Sequence, residues 1–443
     1  MRARSKIVLG LIGAAVILAA GLLWWLLPPR ALSFAGGGGV ALADYKGPDP
    51  TGVPPELRSA DPVTRGRYLA QAADCRMCHT ASGGAPYAGG VAFKTPFGTI
   101  YSSNITADEA TGIGTWSDAD FLRAVHEGVG KGGERLYPAF PFEAFTLMAD
   151  DDVRAIKAYL FSLPKVRAHT PSNRLIFPFD HREVLGIWSA LYNPGERFRP
   201  HPDRSPDWNR GAYLAEALAH CGDCHTPRNL AQALDNRRKF AGAEIQGWRA
   251  FNITSDRASG LGDWSNEELV QYLSGAHVEG RGAAAGPMAE AIEGGLSSLS
   301  RADLRAIAGY VRSTPPIGNR DLPAVRRTLA SDLPKVMAVN YDVRGRQIFE
   351  QACASCHGWS GSSPLATNAT LTGVRAVNDL RGTNVAAVVL AGRPSSTSGS
   401  LAMPAFGHAY SDIEIAAVAN YVTARFGTGG SRLGAADVAK LRQ

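Results

Sequence analysis

A Cys-x-x-Cys-His run restricts what a chain can become more than any bulk property, and here it occurs three times. The copies are Cys75-Arg76-Met77-Cys78-His79, Cys221-Gly222-Asp223-Cys224-His225 and Cys353-Ala354-Ser355-Cys356-His357. Such a run reads as a covalent attachment site for c-type haem: the two thiols add to the porphyrin vinyl groups and the adjoining imidazole becomes the proximal iron ligand. All six cysteines lie inside the signatures. A disulfide framework fits poorly, because Cys-x-x-Cys pairs are weak long-range staples. A thioredoxin-like pair occurs once, within a βαβ pattern that is missing here, and zinc held by two pairs would leave the third over. With ten histidines in 443 residues, one following all three pairs by chance is on the order of one in 10⁵, which decides for haem. Three covalently bound c-type haems are therefore expected, on Cys75 and Cys78, Cys221 and Cys224, and Cys353 and Cys356, with His79, His225 and His357 as axial ligands.

A chain of 443 residues exceeds what one hydrophobic core usually serves, and three domains match three signatures. The 49 glycines and 27 prolines imply much loop. A net charge of +6, with no block of Lys or Arg interleaved with aromatics, argues against a nucleic-acid partner.

Arg2, Arg4 and Lys6 precede an uncharged apolar run from Ile7 to Leu27. About 20 such residues suffice to cross a bilayer as a helix, so an N-terminal transmembrane helix is expected, with the rest of the chain exported. The competing reading is a signal peptide cut after Ala41-Leu42-Ala43. The expected division is anchor or signal 1–28, flexible tether 29–60, first haem domain 61–164, linker 165–208, second domain 209–314, linker 315–340, third domain 341–427 and tail 428–443.

The first two domains repeat one another in order. Arg65-Gly66-Arg67-Tyr68-Leu69-Ala70 corresponds to Arg210-Gly211-Ala212-Tyr213-Leu214-Ala215, Asn104-Ile105-Thr106 to Asn252-Ile253-Thr254, and the Gly-x-Gly-x-Trp-Ser stretch ending at Ser117 to that ending at Ser265. Asp61 is a natural N-cap of the first helix, and Ser117 with Asp120 forms a capping box for the next. Closing helices are expected over Asp150 to Phe161, Arg301 to Arg312 and Asp412 to Phe426. The third domain lacks the Asn-Ile-Thr and Gly-x-Gly-x-Trp elements. The apolar stretches Leu175 to Phe179 and Val184 to Tyr192 are expected to pack between the first two domains.

Each iron needs a sixth ligand to close it for electron transfer. Of six methionines, Met1 is the start, Met77 is confined within a signature and Met337 falls in a linker. One remains downstream of each signature: Met148 for His79, Met288 for His225 and Met403 for His357. A lone Met is more often a core filler, but each of these precedes its domain's last helix. Arg228 reads equally as a haem propionate contact or a surface charge.

The Arg-Gly-x-Tyr-Leu, Asn-Ile-Thr and Gly-x-Gly-x-Trp-Ser elements, Leu136-Tyr137-Pro138-Ala139-Phe140-Pro141 and Cys224-His225-Thr226-Pro227-Arg228 together resemble the triple-haem cytochrome c subunit of bacterial membrane-bound alcohol, aldehyde, gluconate and fructose dehydrogenases. The resemblance runs from about Asp61 to Phe426. It implies a catalytic partner carrying pyrroloquinoline quinone, flavin or a molybdenum cofactor, and ubiquinone or an oxidase as acceptor. Some relatives have Met where Phe140 stands, so the distal ligand of the first domain rests on Met148.

The expectation is a mainly α protein of three tandem class I cytochrome c domains with an N-terminal transmembrane helix, at the periplasmic face of the cytoplasmic membrane. It would work as an electron-transfer subunit, not catalytic alone. A multihaem peroxidase, or a cytochrome serving a terminal oxidase directly, are the alternatives.

Overall fold

Each of the three modules is built on a close crossing of its opening and closing helices. In the first, the Asp61 carboxylate accepts hydrogen bonds from the backbone N–H groups of Val63 and Thr64, starting the helix Pro62–Ala72. Pro62 presets φ where a backbone donor is not needed. That helix packs on the closing helix Asp150–Ser162 so tightly that a Cβ on Gly66 would lie 1.8 Å from the Ala155 carbonyl oxygen. The second module crosses Pro206–Tyr213 with Arg301–Arg312, and a Cβ on Gly211 would lie 2.0 Å from the Ala306 carbonyl. In the third, Val343–Ile348 meets Asp412–Phe426, and Gly345 would place a Cβ 2.1 Å from the Ala417 carbonyl. Only glycine lets the backbones approach this closely. The crossing fixes where each opening helix ends, and the signature follows there.

The computed structural model describes residues 13–325 and 343–442, apart from Ala15, Ala19, Leu23, Trp25, Pro364, Ala366 and 394–400. The linker expected at 315–340 lies outside the described residues from 326 onward. The fold is mainly helical, as expected, and the capping box of Ser117 and Asp120 starts Asp118–Glu127. Its repeat counterpart, Ser265 with Glu268, starts Asn266–Leu273. Periodicity gives no warning of two short hairpins. Ala92–Thr95 pairs antiparallel with Gly98–Tyr101, which also takes Arg174–Leu175 as a third strand. In the second module Ala243–Ile245 pairs with Trp248–Ala250 around Gln246 and Gly247, both at positive φ, as a two-residue hairpin turn requires.

One continuous apolar core serves modules one and two, whereas module three has its own. The first two are joined by a reciprocal exchange. The Tyr68 hydroxyl donates to Asp303 Oδ2 at 2.6 Å, and the Tyr213 hydroxyl to Asp152 Oδ2 at 2.5 Å. In return the N–H groups of Ser300 and Ala149 donate to Tyr68 and Tyr213, each at 3.0 Å. The linker helix Val184–Tyr192 touches both modules: Trp188 stands edge-on to Phe142, and its Nε1 donates to the Ala231 carbonyl. Ile187 and Leu191 on the same helix are exposed. Module three docks on module two through Asn384, which accepts from the Arg249 N–H at 2.8 Å and donates to its carbonyl at 2.9 Å.

The expected N-terminal transmembrane helix is not supported. Among the described residues no helix is long and apolar enough to cross a membrane. Ile7 to Ile12 lie outside them. The described positions between Gly13 and Leu26 are helical. This segment ends on the second module. Asn229 donates to the Leu26 carbonyl at 3.0 Å, Arg237 donates to that of Trp24 at 2.6 Å, and the Arg237 guanidinium lies over the Trp24 ring. Residues 29–60 then run along the first two modules, with Arg210 donating to the Pro50 and Gly52 carbonyls.

The exchange is unequal in one respect. Asp303 is also held by Arg210 at 2.7 and 2.8 Å, whereas Asp152 keeps only the Gly52 N–H at 2.8 Å once Tyr213 is removed. Losing one partner of a buried hydrogen bond costs about 1–3 kcal/mol. Tyr213→Phe is therefore expected to lower stability toward the upper end of that range and Tyr68→Phe toward the lower, read from denaturant midpoints of the two variants side by side.

Candidate haem sites

The opening helix delivers each signature onto a short helical turn: Cys75–Cys78, Gly222–His225 and Ala354–His357. In modules two and three a π turn, Leu214–Leu218 or Phe349–Cys353, leads into it, a distortion that recurs at functional positions. Each signature histidine is then oriented in the same way. His79 Nδ1 bonds the Ser103 carbonyl at 2.7 Å, His225 Nδ1 that of Phe251 at 2.7 Å and His357 Nδ1 that of Ala369 at 2.5 Å. With Nδ1 as donor, Nε2 is left as the lone-pair nitrogen for a metal, and the ring orientation is set. Burial holds all three imidazoles below their ordinary pKa despite the carbonyl contact. They are therefore neutral at pH 7, as a metal ligand must be.

The orienting carbonyls explain the repeated motif. Ser103 and Phe251 immediately precede Asn104-Ile105-Thr106 and Asn252-Ile253-Thr254. Asn104 Oδ1 accepts from the Thr106 N–H and hydroxyl, while its amide donates to the Val166 carbonyl at 2.7 Å. Asn252 does the same with Thr254 and the Ile317 carbonyl. The loop is thereby pinned to the chain leaving the closing helix. Sequence reasoning finds the motif but not the carbonyl before it, which is the functional group.

The thiols fit attachment better than disulfide chemistry. None of the six is bonded to another. Burial pushes Cys75, Cys78 and Cys221 up to about 12, and Cys224 and Cys353 up to about 11. Redox-active pairs instead lower a thiol's pKa. Among the described residues no group of three or more His, Cys, Asp or Glu side chains is placed to hold a metal ion.

One largely apolar cavity of about 520 Å³ is lined by Cys221, Cys224, His225 and Met288 together with Cys353, Cys356, His357 and Met403. Asp74 and Met77, from the turn of the first signature, also reach it. The sulfur and nitrogen donors, the apolar wall and the oriented imidazoles fit covalently held haem. Met148 is placed differently: it is 1% exposed, in the core of modules one and two, and does not line this cavity. Phe140 stands edge-on to Phe145, 5.4 Å between centroids. Nearby in sequence, His126 is 2% exposed with no hydrogen bond to either ring nitrogen, and burial, then Arg197, push it down to about 4.

The first two signatures face each other across a seam of acids. Cys78 feels the charges of Asp74, Cys224 and Asp223, and Cys224 feels Asp74. Glu143 is buried beside Asp223 and 3.8 Å from Arg228, and burial raises it well above the carboxylate range. Arg228 thus bridges modules, pairing with Asp223 at 3.1 Å. Asp74, at φ 49, is raised to about 8 by burial and then by Glu290. These contacts join residues far apart in the chain, and no local pattern marks them.

Residues 342–422 match the family described as cytochrome c oxidase, cbb3-type, subunit III. The chain is similar to the fructose dehydrogenase cytochrome subunit of Gluconobacter japonicus, 37% identical over 89% of this chain and 85% of that one. It is also similar to the gluconate 2-dehydrogenase cytochrome c subunit of Pantoea cypripedii, 36% identical over 86% and 89%. A nicotinate dehydrogenase subunit of Pseudomonas putida is 40% identical over 83% of this chain, which spans 30% of that protein's length.

The Asp74 shift carries a sign. A carboxyl raised in the folded state binds a proton there that the unfolded chain has released, so stability is full below the unfolded value, near 4, and falls as pH rises to about 8. Asp74→Asn, which tolerates the same positive φ, is expected to abolish that fall. Unfolding midpoints measured from pH 4 to 9 should match the parent at the acid end and exceed it at pH 8.

Proposed function

This chain belongs to the family of cytochrome c subunits of fructose, gluconate and alcohol dehydrogenases, and from that premise we propose that it carries electrons away from a catalytic dehydrogenase partner. Three c-type haems are held by Cys75 and Cys78, Cys221 and Cys224, and Cys353 and Cys356. His79, His225 and His357 are the proximal ligands, and Met148, Met288 and Met403 the distal ones. The partner carries pyrroloquinoline quinone, flavin or a molybdenum cofactor, and the acceptor is ubiquinone or an oxidase. The haem modules lie on the periplasmic side of the cytoplasmic membrane, where thiols are joined to haem.

The observation that carries this reading is the shared cavity, with two signatures and two methionines in one apolar wall and the turn of the first signature beside it. When bound, haem supplies a one-electron couple, and His/Met ligation favours reduced iron relative to two imidazoles. The chain's own work is positional. The Ser103, Phe251 and Ala369 carbonyls fix the imidazoles, the apolar walls exclude water, and the second signature sits between the other two. That makes the second site the relay between an entry and an exit. The likeness of residues 342–422 to an oxidase subunit favours a second reading, in which module three donates directly to a terminal oxidase. Rapid oxidation by purified oxidase in quinone-free detergent would separate the two.

Pyridine haemochrome analysis is expected to give three haems per chain, and the protein to copurify from membranes with a dye-linked dehydrogenase. Met288→Ala and Met403→Ala should each convert one haem to a high-spin spectrum, and Met148→Ala should do so for the first. Unchanged low-spin spectra would remove the corresponding methionine. A stable lone polypeptide that no dye-linked dehydrogenase reduces would overturn the subunit role.

A further inference from the structure

The cavity shared by modules two and three is apolar over most of its wall, yet Arg249, Arg281, Arg375 and Arg393 all line it. Arg249 and Arg281 have protein carboxylates. Arg249, 7% exposed, is bonded to Asp379 and lies 3.8 Å from Asp321. Arg281, 6% exposed, pairs with Glu268 at 3.0 Å and stacks on Trp264. Arg375 differs. Its Nη1 and Nη2 donate to the carbonyls of Pro323 and Ala258, each at 2.7 Å, and among the described residues no carboxylate lies within ion-pair distance. Two carbonyls use part of the five-donor fork of an arginine and none of its charge.

The charges around Arg375 sharpen the imbalance. Burial depresses it to about 10, with Arg249 and Arg281 pushing the same way and Asp379 and Asp256 opposing. A cation in an apolar wall is costly unless a counter-charge meets it. Arg375 also sits at the seam: it belongs to the short helix Arg375–Asn378 of module three, and its Ala258 contact is in module two. The two signatures that share the cavity, 221–225 and 353–357, attach haem by its vinyl edge, so the anionic edge of each cofactor is free to face elsewhere in the cavity. Planar carboxylates match the guanidinium fork.

We propose that Arg375 is the seat for propionate carboxylates of the second and third haems, a single guanidinium at the module seam whose counter-charge is supplied by the cofactors. This rests on the reading that haem is bound at both signatures. A cation next to a haem edge favours the reduced iron, so one residue sets the potentials on both sides of the seam and couples them. Arg249 and Arg281, each tied to its own acid, hold the flanks of the same wall.

The test is spectroelectrochemical titration of the holoprotein, after haemochrome analysis of the parent. Fewer than three haems in the parent would count against the proposed function itself and not against Arg375 alone. With three haems present, Arg375→Gln should shift both the second and the third haem toward the oxidised form at fixed potential, by about tenfold or a midpoint fall of 59 mV for a one-electron couple, and a shift confined to one of them would overturn the shared seat. Arg375→Lys should recover most of that shift, and the first haem should not move. Unmoved midpoints, with or without a loss of thermal stability, would overturn the proposal and leave Arg375 as a brace for two carbonyls. Should Arg375→Gln fail to fold, Arg375→Lys is titrated alone through the lysine range, near pH 10.4. The second- and third-haem midpoints should both fall as the lysine discharges, and a midpoint of either that ignores that step would overturn the proposal.

Discussion

The contact on which the structure depends is a backbone touching a backbone. Gly66, Gly211 and Gly345 each face a carbonyl of their module's closing helix, at Ala155, Ala306 and Ala417, with no room for a methyl group. A helix pair seated that closely has one register, and the opening helix therefore ends at one place. Everything used for cofactor chemistry is measured from that end. The signature turn begins there, its histidine meets a fixed carbonyl, and the Asn-Ile-Thr loop holding that carbonyl is tied to the chain just past the closing helix. Module three reaches the same result through Ala369 without the motif.

Duplication supplied the second layer of organisation. Tyr68 and Tyr213 reach across to Asp303 and Asp152 in a near two-fold exchange, so that the first two signature-bearing modules share one core. The exchange also brings buried acids to the seam between their signatures. Asp74, Glu143 and Asp223 each keep a buried oxygen without a hydrogen-bond partner. Module three is attached differently, through Arg249, Asn384 and Asp379, and keeps a separate core. The acids facing module one and the arginines at the contact with module three give the second signature unlike neighbours.

What can be read from the sequence is what depends on neighbours in the chain. Asp61, Ser117 and Asp120 act within three residues of their targets, so the caps are legible, and so is the closing helix Asp412–Phe426. The family resemblance rests on the same local signals. The hairpins at Gly98 and Gly247 escape detection because three- or four-residue strands carry too little alternation to register. Apolar length alone predicts a membrane span for the N-terminal run, and length says nothing of the contacts that Arg237 and Asn229 make with its end. The acidic seam, the orienting carbonyls and the arginines of the shared cavity join positions dozens to hundreds of residues apart. Their signal exists only once the helices have crossed.

The central claim is that the second haem site is the relay between the other two. Met288→His tests it most directly, since a second imidazole lowers the potential of that haem while leaving its thioether attachment intact. Site-resolved stopped-flow reduction by the dehydrogenase partner is the measurement. The outer haem next to the partner is predicted to fill at the parent rate, while the far outer haem lags behind it. Both outer haems filling at their parent rates would contradict the account.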